Sequence, residues 1–319
     1  MFFSPTKKES FLLGVDAGAT KTEVAIADMA GKILFTEKGG PGSWNTMLGR
    51  DKNFENIEKT IAKVWKKLKK KGAPVAAAYL GMAGLDMESD EIKASILFKK
   101  MLRPYRVAHG EAGNDIKIVF PSASDASFGV SLIAGTGTHC YGANPAGESA
   151  SSSGLDYLLA DQGGGYWLGR KILEAAAKSY DGRGPKTKLE KLVMGHFKIH
   201  DFRDILRHIY APSFGKSEMG ELAMLLDSVD PFADSVVRDI QILAVSELFD
   251  SVHAVITRLK LKYISFDLVI AGSILHRKKY IRSLFIDKMA KFYPKANLIF
   301  SSQAPVAGAV KLALLLSKK

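Results

Sequence analysis

Short apolar runs alternate with amphipathic stretches along the first half of the chain, which is the pattern of an α/β protein. Apolar runs typical of strands lie at residues 11–15, 23–28, 32–36, 75–80 and 116–120. Apolar positions recur at helical spacing from about residue 52 and again from about residue 91. Helices that alternate with apolar strands predict a sheet that is covered by helices on at least one face.

The second half begins with the same kind of pattern. Strands are predicted at residues 130–134 and 139–143, with a turn at 144–147. A long helical stretch follows and includes a helix over about 231–259, with Pro231 in its first turn. A strand at 264–271, a helix from about 278, a strand at 297–300 and a last helix from 305 complete the chain. The opening pattern is therefore used twice, which predicts a structural repeat without obvious sequence identity.

Each half carries a loop of small residues and threonines directly after its first strand. The residues are Asp16, Gly18, Thr20 and Thr22 in the first loop, and Gly135, Thr136, Gly137 and Thr138 in the second. Glycines let backbone N–H groups face a phosphate, the threonine hydroxyls add donors, and an aspartate supplies a hard oxygen for Mg²⁺. Two such loops, about 120 residues apart, predict a nucleotide that is held between two related half-molecules.

Length and composition are those of a globular protein. The 319 residues and 34.7 kDa favour two domains over one. No run of about 18 apolar residues and no signal peptide is evident, so we expect a cytoplasmic protein without a membrane partner. A lone Cys140 excludes an intrachain disulfide and an all-cysteine metal site.

The formal net charge of +12 raises the question of a nucleic-acid partner. Much of the excess lies in the lysines of residues 63–71, at the end of an amphipathic helix and just before Gly72. Lysines there oppose the helix macrodipole, and no base-stacking aromatic residues are interleaved with them. The pattern favours a solvated helix end, and no nucleic-acid partner is predicted.

Seven segments together carry a resemblance to a known family. They are LGVDAGATKT (13–22), LGMAG (80–84), SDA (124–126), LIAGTGT (132–138), DQGGGYWLGR (161–170), VIAGS (269–273) and PVAGA (305–309). In this order and spacing the chain resembles the BadF/BadG/BcrA/BcrD-type ATPase family, which contains N-acetylglucosamine kinases. That family is part of the sugar kinase, actin and heat-shock ATPase superfamily.

The resemblance implies a fold of two ribonuclease H-like (actin-like ATPase) domains with a cleft between them. Each domain would be a mixed five-stranded sheet flanked by helices. The expected boundaries are 1–124 for the N-terminal lobe and 125–319 for the C-terminal lobe, and the resemblance allows the helix over 305–319 to pack back on the first lobe. A homodimer is left open.

The resemblance also implies roles for individual residues. Asp125 would be the base that accepts the proton of the attacking sugar hydroxyl, and Asp16 would hold Mg²⁺. ATP would bind through Asp16, Gly18, Thr20, Lys21, Thr22, Gly135, Thr136, Gly137, Thr138, Gly272 and Ser273. The sugar would bind through Asn45, Gly84, Asp125, Asp156 and Asp161.

Three departures from the family pattern bear on the sugar site. Residues 160–164 read ADQGG where the family has GDEGS, and residues 153–156 read SGLD where it has GGWG. Asp156 could therefore bind a sugar hydroxyl or an amino group, or face water. Only ten residues separate Asp125 from Gly135, so the family's helix between the base and the second loop is predicted to be missing.

The implied activity is Mg²⁺-assisted transfer of the γ-phosphate of ATP to a hydroxyl of a hexose or amino sugar, of the N-acetylglucosamine or glucosamine type. Two alternatives stay open at this point. The first is a degenerate protein that binds nucleotide or sugar without catalysis. The second is an ATPase activator of a dehydratase, which the single Cys140 disfavours because a shared iron–sulfur cluster needs cysteines from each subunit.

Overall fold

A computed structural model describes residues 10–44, 49–68 and 74–319. The chain divides into two compact units. The first unit comprises Met1–Ala126 and Ser302–Lys319, and the second comprises Ser127–Ser301. The C-terminal segment therefore belongs to the same unit as the N-terminal half.

The described residues form ten strands and twelve α-helices. The strands are β1 (Phe11–Ala17), β2 (Thr22–Ala27), β3 (Ile33–Gly39), β4 (Val75–Met82), β5 (His109–Asn114), β6 (Gly129–Ala134), β7 (Thr138–Ala143), β8 (Ser149–Ser153), β9 (Phe266–Ala271) and β10 (Ala296–Phe300). The helices are α1 (Arg50–Lys67), α2 (Glu88–Met101), α3 (Ile116–Ala123), α4 (Asp156–Leu159), α5 (Gly165–Asp181), α6 (Leu189–Phe197), α7 (Ile205–Ile209), α8 (Lys216–Glu221), α9 (Ser235–Arg258), α10 (Ser273–Arg277), α11 (Lys279–Phe292) and α12 (Pro305–Leu316).

The sheet of the first unit has the strand order β3-β2-β1-β4-β5. Strands β1, β4 and β5 are parallel, whereas β2 runs antiparallel to both β1 and β3. Successive residues of β1 point to opposite faces of the sheet and pack in different hydrophobic cores. Leu13 packs with α1 and α2 on one face, and Leu12 packs with α3 and α12 on the other. The result is a three-layer α/β unit in which the carboxyl ends of β1, β4 and β5 lie at one edge, where such sheets bind ligands.

The strand predicted at residues 116–120 is wrong, because these residues begin helix α3. The strand of this region is β5, which ends at Asn114. Its sequence, HGEAGN, contains no β-branched residue, so it lacks a strand pattern. Ile116, Ile118 and Val119 instead form the buried face of a short helix. Helix α3 lies ahead of residue 125, and no helix lies between Asp125 and Gly135, as predicted.

The long helix of the second unit begins later than predicted. Helix α9 starts at Ser235, and the Asp234 side chain caps it by accepting hydrogen bonds from the N–H groups of Val236 and Val237. Pro231 therefore lies before the helix and not in its first turn.

The sheet of the second unit repeats the topology of the first. Its order is β8-β7-β6-β9-β10, with β6, β9 and β10 parallel and β7 antiparallel to both β6 and β8. Helices α5, α9 and α11 pack with the sheet in one hydrophobic core. The structural repeat predicted from the two opening patterns is present in these two sheets.

Among the described residues, α9 is the one helix long and apolar enough to cross a membrane. Ten of its residues are buried within the second unit, Val245, Leu248 and Val252 among them. The core position of α9 accounts for its apolar composition.

Candidate active site

Two carboxylates lie at the ligand-binding edge of the first sheet. Asp16 is near the end of β1, and Asp115 follows β5 directly. Burial raises the pKa of Asp16 to about 7, with further increases from the negative charges of Asp115 and Glu23 and an opposing effect of Lys21. The negative charge of Asp115 therefore favours the protonated form of Asp16.

Asp115 occupies the turn between β5 and α3. The preceding Asn114 fixes that turn, because its side-chain amide donates to Asp86 Oδ1 at 2.9 Å and its Oδ1 accepts from the Ile116 N–H at 3.0 Å. Burial raises the pKa of Asp115 to about 6, and the charge of Asp86 adds to the increase. A carboxylate with this pKa can accept a proton near neutral pH.

The first glycine-threonine loop is a tight turn after β1. The Gly18 N–H donates to the Lys21 carbonyl at 2.9 Å, and the Gly18 carbonyl accepts from the Gly42 N–H at 3.0 Å. Thr20 and Lys21 are exposed, as a phosphate-binding role requires. Thr22 is fully buried, so its hydroxyl lies beneath the loop.

Gly84, one of the predicted sugar-binding residues of the first unit, lies beside this loop. Gly84 has φ +82° in the turn after β4. The neighbouring Ala83 donates to the Ala17 carbonyl at 2.9 Å and accepts from the Trp44 N–H at 2.8 Å. Asn45 lies outside the described residues.

Asp125 has a different environment from Asp115. Its side chain is 93% exposed and pairs with Lys311 Nζ at 2.6 Å. The hydrogen bond from Lys311 lowers the pKa of Asp125 below its ordinary value, and the positive charge of Lys311 acts in the same direction. The predicted role of Asp125 as the base stays a prediction, and Asp115 is a competing candidate in the same unit.

The second loop is closed by its own backbone and by the start of α5. The Gly135 N–H donates to the Gly137 carbonyl at 2.9 Å, and the carbonyls of Gly135 and Thr136 accept from the first two N–H groups of α5. Thr136 is exposed, whereas Thr138 is buried and its hydroxyl lies 3.3 Å from the Gln162 carbonyl oxygen. Thr136 is therefore the hydroxyl that faces solvent.

A pocket of about 350 Å³ adjoins this loop. Gly135, Thr136 and Ser273 line it on the sheet side, and Ser217 and Asp227 line it from the helical segments. Its size is within the range of small-molecule sites. Gly272, which precedes Ser273, has φ +91°, and a Cβ there would lie 2.8 Å from the Gly135 nitrogen, so the ends of β6 and β9 approach each other closely.

The predicted sugar-binding carboxylates of the second unit share one cation. Lys216 Nζ lies 3.3 Å from Asp161 Oδ2 and 3.5 Å from Asp156 Oδ2. The Asp161 side chain is 6% exposed and that of Asp156 is 62% exposed. Burial raises the pKa of Asp161, and the charge of Lys216 opposes that increase.

Backbone strain is concentrated around these carboxylates. Ser153, Asp156 and Asp161 all have positive φ, at 59°, 69° and 120°. Non-glycine residues in this region cost conformational energy and cluster at functional sites. This segment, which departs from the resembled family's pattern, is therefore held in a specific and strained conformation.

A sequence profile of the BadF/BadG/BcrA/BcrD ATPase family matches residues 13–313. The chain belongs to this family. The family assignment predicted from the seven segments is thereby confirmed.

Individual relatives agree with the family assignment. An N-acetylmuramic acid/N-acetylglucosamine kinase of Clostridium acetobutylicum is 30% identical over 95% of this chain and 98% of its own length. An N-acetyl-D-glucosamine kinase of Dictyostelium discoideum is 29% identical over 96% of this chain and 98% of its own length. A Chromobacterium violaceum crystal structure, named as that of a candidate N-acetylglucosamine kinase, superimposes with a TM-score of 0.73 at 19% identity and covers 96% of this chain and 99% of the other. The predicted two-domain actin-like ATPase fold is confirmed.

Within this BadF/BadG/BcrA/BcrD ATPase family member, Asp115 is the functional candidate that sequence reasoning missed. The signal that could have found it is an acidic residue placed directly before an amphipathic segment, at Asp115-Ile116. Assigning 116–120 to a strand hid that signal, because it placed Asp115 before a strand and not at the carboxyl end of one.

The acidic edge of the first unit suits Mg²⁺ chemically. Asp16 provides carboxylate oxygens in a partly buried position. The raised pKa values of Asp16 and Asp115 mean that their ionised forms are disfavoured, and a bound cation would stabilise those forms. Mg²⁺ usually keeps several waters and uses one or two carboxylates plus substrate phosphates. The part of the chain that the structure describes contains no cluster of three or more His, Cys, Asp or Glu able to hold a metal ion.

Proposed function

We propose that this protein phosphorylates a hydroxyl of N-acetylglucosamine or a closely related hexose or amino sugar, with ATP as the phosphate donor. The observation that carries the proposal is the pair of curated relatives, each named an N-acetylglucosamine kinase and aligned over at least 95% of this chain. The enzyme class is that of an ATP-dependent sugar kinase. The cytoplasm, as the compartment that supplies ATP, is the proposed location.

We assign the general base to Asp115. As the sugar hydroxyl oxygen attacks the γ-phosphorus, its proton would pass to the Asp115 carboxylate, the bond from the γ-phosphorus to the β,γ-bridging oxygen would break, and ADP would leave. Three observations support Asp115 over Asp125: its place at the carboxyl end of a parallel strand, its pKa of about 6, and the fixed turn at Asn114. An exposed carboxylate paired with Lys311 is a weaker proton acceptor.

Each unit has a loop that we propose for nucleotide binding. In the second unit, the 350 Å³ pocket is the proposed adenosine site; Gly135, Thr136 and Ser273 line it, and Gly272 directly precedes Ser273. In the first unit, the backbone of the tight turn at Gly18 and the exposed Thr20 and Lys21 would contact phosphate. Asp16 would hold Mg²⁺, which when bound neutralises charge on the phosphates of the transition state.

The sugar would contact Asp161 and Asp156 in the second unit and Asn45 and Gly84 in the first. One departure from the family pattern in this region has a structural reason. A Cβ on Gly164 would lie 2.9 Å from the Gly137 carbonyl carbon and 3.0 Å from the Thr136 carbonyl oxygen. Glycine at 164 is required by packing, so its presence is no argument for a degenerate protein.

Two matched variants test the assignment of the base, with ADP release from Mg²⁺-ATP as the assay across a panel of hexoses and hexosamines. Asp115→Asn should lower kcat by about 10²–10⁴-fold, since general-base catalysis contributes that much, while calorimetric binding of N-acetylglucosamine and of an ATP analogue persists. Asp125→Asn should stay within about threefold of the wild type, because its side chain faces solvent. The reverse result would return the base to Asp125. A wild-type enzyme that releases no additional ADP with any sugar would show that the kinase proposal is wrong.

A further inference from the structure

Lys216 joins two parts of the second unit. It is the first residue of α8, and its ammonium contacts Asp161 and Asp156, the proposed sugar-binding carboxylates. Ser217, the next residue, lines the nucleotide pocket, as do Gly220 and Glu221 farther along the same helix. The six-residue helix α8 thus borders the nucleotide pocket and also carries Lys216, the lysine that pairs with the two proposed sugar-binding carboxylates.

Asp161 needs this cation because of where its carboxylate lies. Its Oδ2 packs directly against the Cα of Gly137 in the second loop, where a Cβ would meet the carboxylate. The Thr138 N–H donates to the same carboxylate. The charged groups that influence it are Lys216, which opposes the effect of burial, and Asp156, which reinforces it. A carboxylate buried this deeply is costly without a positive partner.

Lys216 is itself held in place. Its ammonium lies 5.3 Å from the centre of the Tyr157 ring, within the distance of a cation–π contact. Tyr157 in turn packs against Tyr166 with ring centres 4.4 Å apart. The Tyr166 N–H donates to the Thr136 carbonyl at 2.9 Å. The lysine is therefore connected to the second loop through two aromatic rings.

Helix α8 packs closely against α5 and against Thr136 of the second loop. A Cβ on Gly169 in α5 would lie 2.9 Å from the Met219 carbonyl carbon, so the two helices are in backbone contact. A Cβ on Gly220 would lie 3.2 Å from the Thr136 methyl group. A displacement of α8 would therefore move Lys216 and the pocket wall together.

We propose that Lys216 is a positioning residue: it holds the Asp161 carboxylate for the sugar hydroxyls and, through α8, couples sugar binding to the nucleotide pocket. The inference rests on the proposed function for the identity of the ligands. The contact between Lys216 and Asp161 does not depend on it, so this contact can be tested without any substrate.

The first experiment is a double-mutant cycle of Lys216→Met and Asp161→Asn, followed by thermal unfolding of the full chain at pH 8 and pH 5. At pH 8, Lys216→Met should lower Tm by about 2–6 °C, because it leaves a buried carboxylate unpaired. At pH 5 the loss should be smaller, since Asp161 can then take up a proton. Adding Asp161→Asn should recover most of the loss. Lys191→Met, at an exposed lysine of α6, is the matched control and should leave Tm unchanged.

The second experiment measures kinetics and binding with N-acetylglucosamine. Lys216→Met should raise the sugar KM about tenfold or more and change kcat less than threefold. In the pH profile of kcat/KM for this variant, the acidic limb should move to higher pH. Lys216→Arg should recover most of the affinity. A non-hydrolysable ATP analogue should tighten sugar binding at least fivefold in the wild type and in Lys191→Met, but not in Lys216→Met.

Two results would overturn the inference. One is a Tm difference between Lys216→Met and the wild type that Asp161→Asn does not change. The other is a sugar KM for Lys216→Met within twofold of the wild type. Wild-type enzyme without sugar-dependent turnover would instead overturn the proposed function, while the thermal cycle would still decide whether Lys216 supports Asp161.

Discussion

The proposed sugar-binding carboxylate of Asp161 packs against Gly137 of the second loop, and adding one methyl group at Gly137 tests this contact. A Cβ at Gly137 would lie 2.9 Å from Asp161 Cγ and closer still to Oδ2. Ordinary carbon–carbon contacts begin near 3.5 Å, so in Gly137→Ala the carboxylate must retreat by roughly 0.6–1 Å. That retreat would also lengthen the 3.3 Å contact with Lys216. Because a misplacement of about 1 Å can cost 10²-fold in rate, kcat/KM for the sugar should fall about 30–100-fold, or about 2–3 kcal/mol.

Gly135→Ala provides the comparison within the same loop. A Cβ at Gly135 has no atom within 4 Å in the described structure, and it would project toward the pocket that Gly135 lines. Steady-state kinetics with ATP and N-acetylglucosamine should therefore separate the two variants. Gly137→Ala should raise the sugar KM, and Gly135→Ala should raise the ATP KM while leaving the sugar KM within twofold. Equal effects of both variants on both substrates would refute the placement of Asp161 against Gly137.

Two further predictions concern the first unit. Gly308→Ala in α12 should lower the free energy of unfolding by about 1–3 kcal/mol, because a Cβ there would lie 2.9 Å from the Ile118 carbonyl carbon. Thermal melts should show this loss of stability. Gly195→Ala, in open space on α6, is the control and should show no loss. Mg²⁺ affinity should weaken about tenfold per pH unit as the pH falls below 7, because protonation of Asp16, whose pKa is about 7, competes with the metal. Titrations of Mg²⁺ at pH 6 and pH 8 measure this, and an equal affinity at the two pH values would exclude Asp16 as the ligand.

The sequence pattern predicted elements well where apolar residues repeat with a clear period. The predicted strands that open each half lie within or beside β1, β2, β3, β6 and β7, and the last helix begins at Pro305 as predicted. Strand β5 was missed, because its HGEAGN sequence is stabilised by pairing with β4 and not by its own strand propensity. Because tertiary pairing decided this strand, local periodicity could not find it, and the following carboxylate was missed with it.

The candidate site shows a similar limit. Both loops were predicted from short motifs of glycine and hydroxyl residues, and Asp161 was predicted from the family resemblance. The contact of Asp161 with Lys216 joins residues 55 positions apart, and no local pattern marks Lys216 as different from the many other lysines of this basic chain. Pairings of this kind become visible only when the packing of α8 is known.

The two units share one sheet topology and differ in the residues at the carboxyl ends of their parallel strands, and we expect this difference to divide the chemistry between them. In the first sheet, carboxylates occur near the ends of β1 and β5, at Asp16 and Asp115. In the second sheet, β6 is equivalent to β1 and β9 is equivalent to β4. Strand β6 is followed by Gly135, which lines the pocket, and β9 is followed by Gly272, which lets the chain approach Gly135 closely. Carboxylates are suited to a cation and to a proton, and open backbone is suited to phosphate and a nucleoside. If this division is right, Asp115→Asn should remove turnover without loss of nucleotide affinity, and Gly272→Ala should weaken nucleotide binding without changing the pH dependence of the residual turnover.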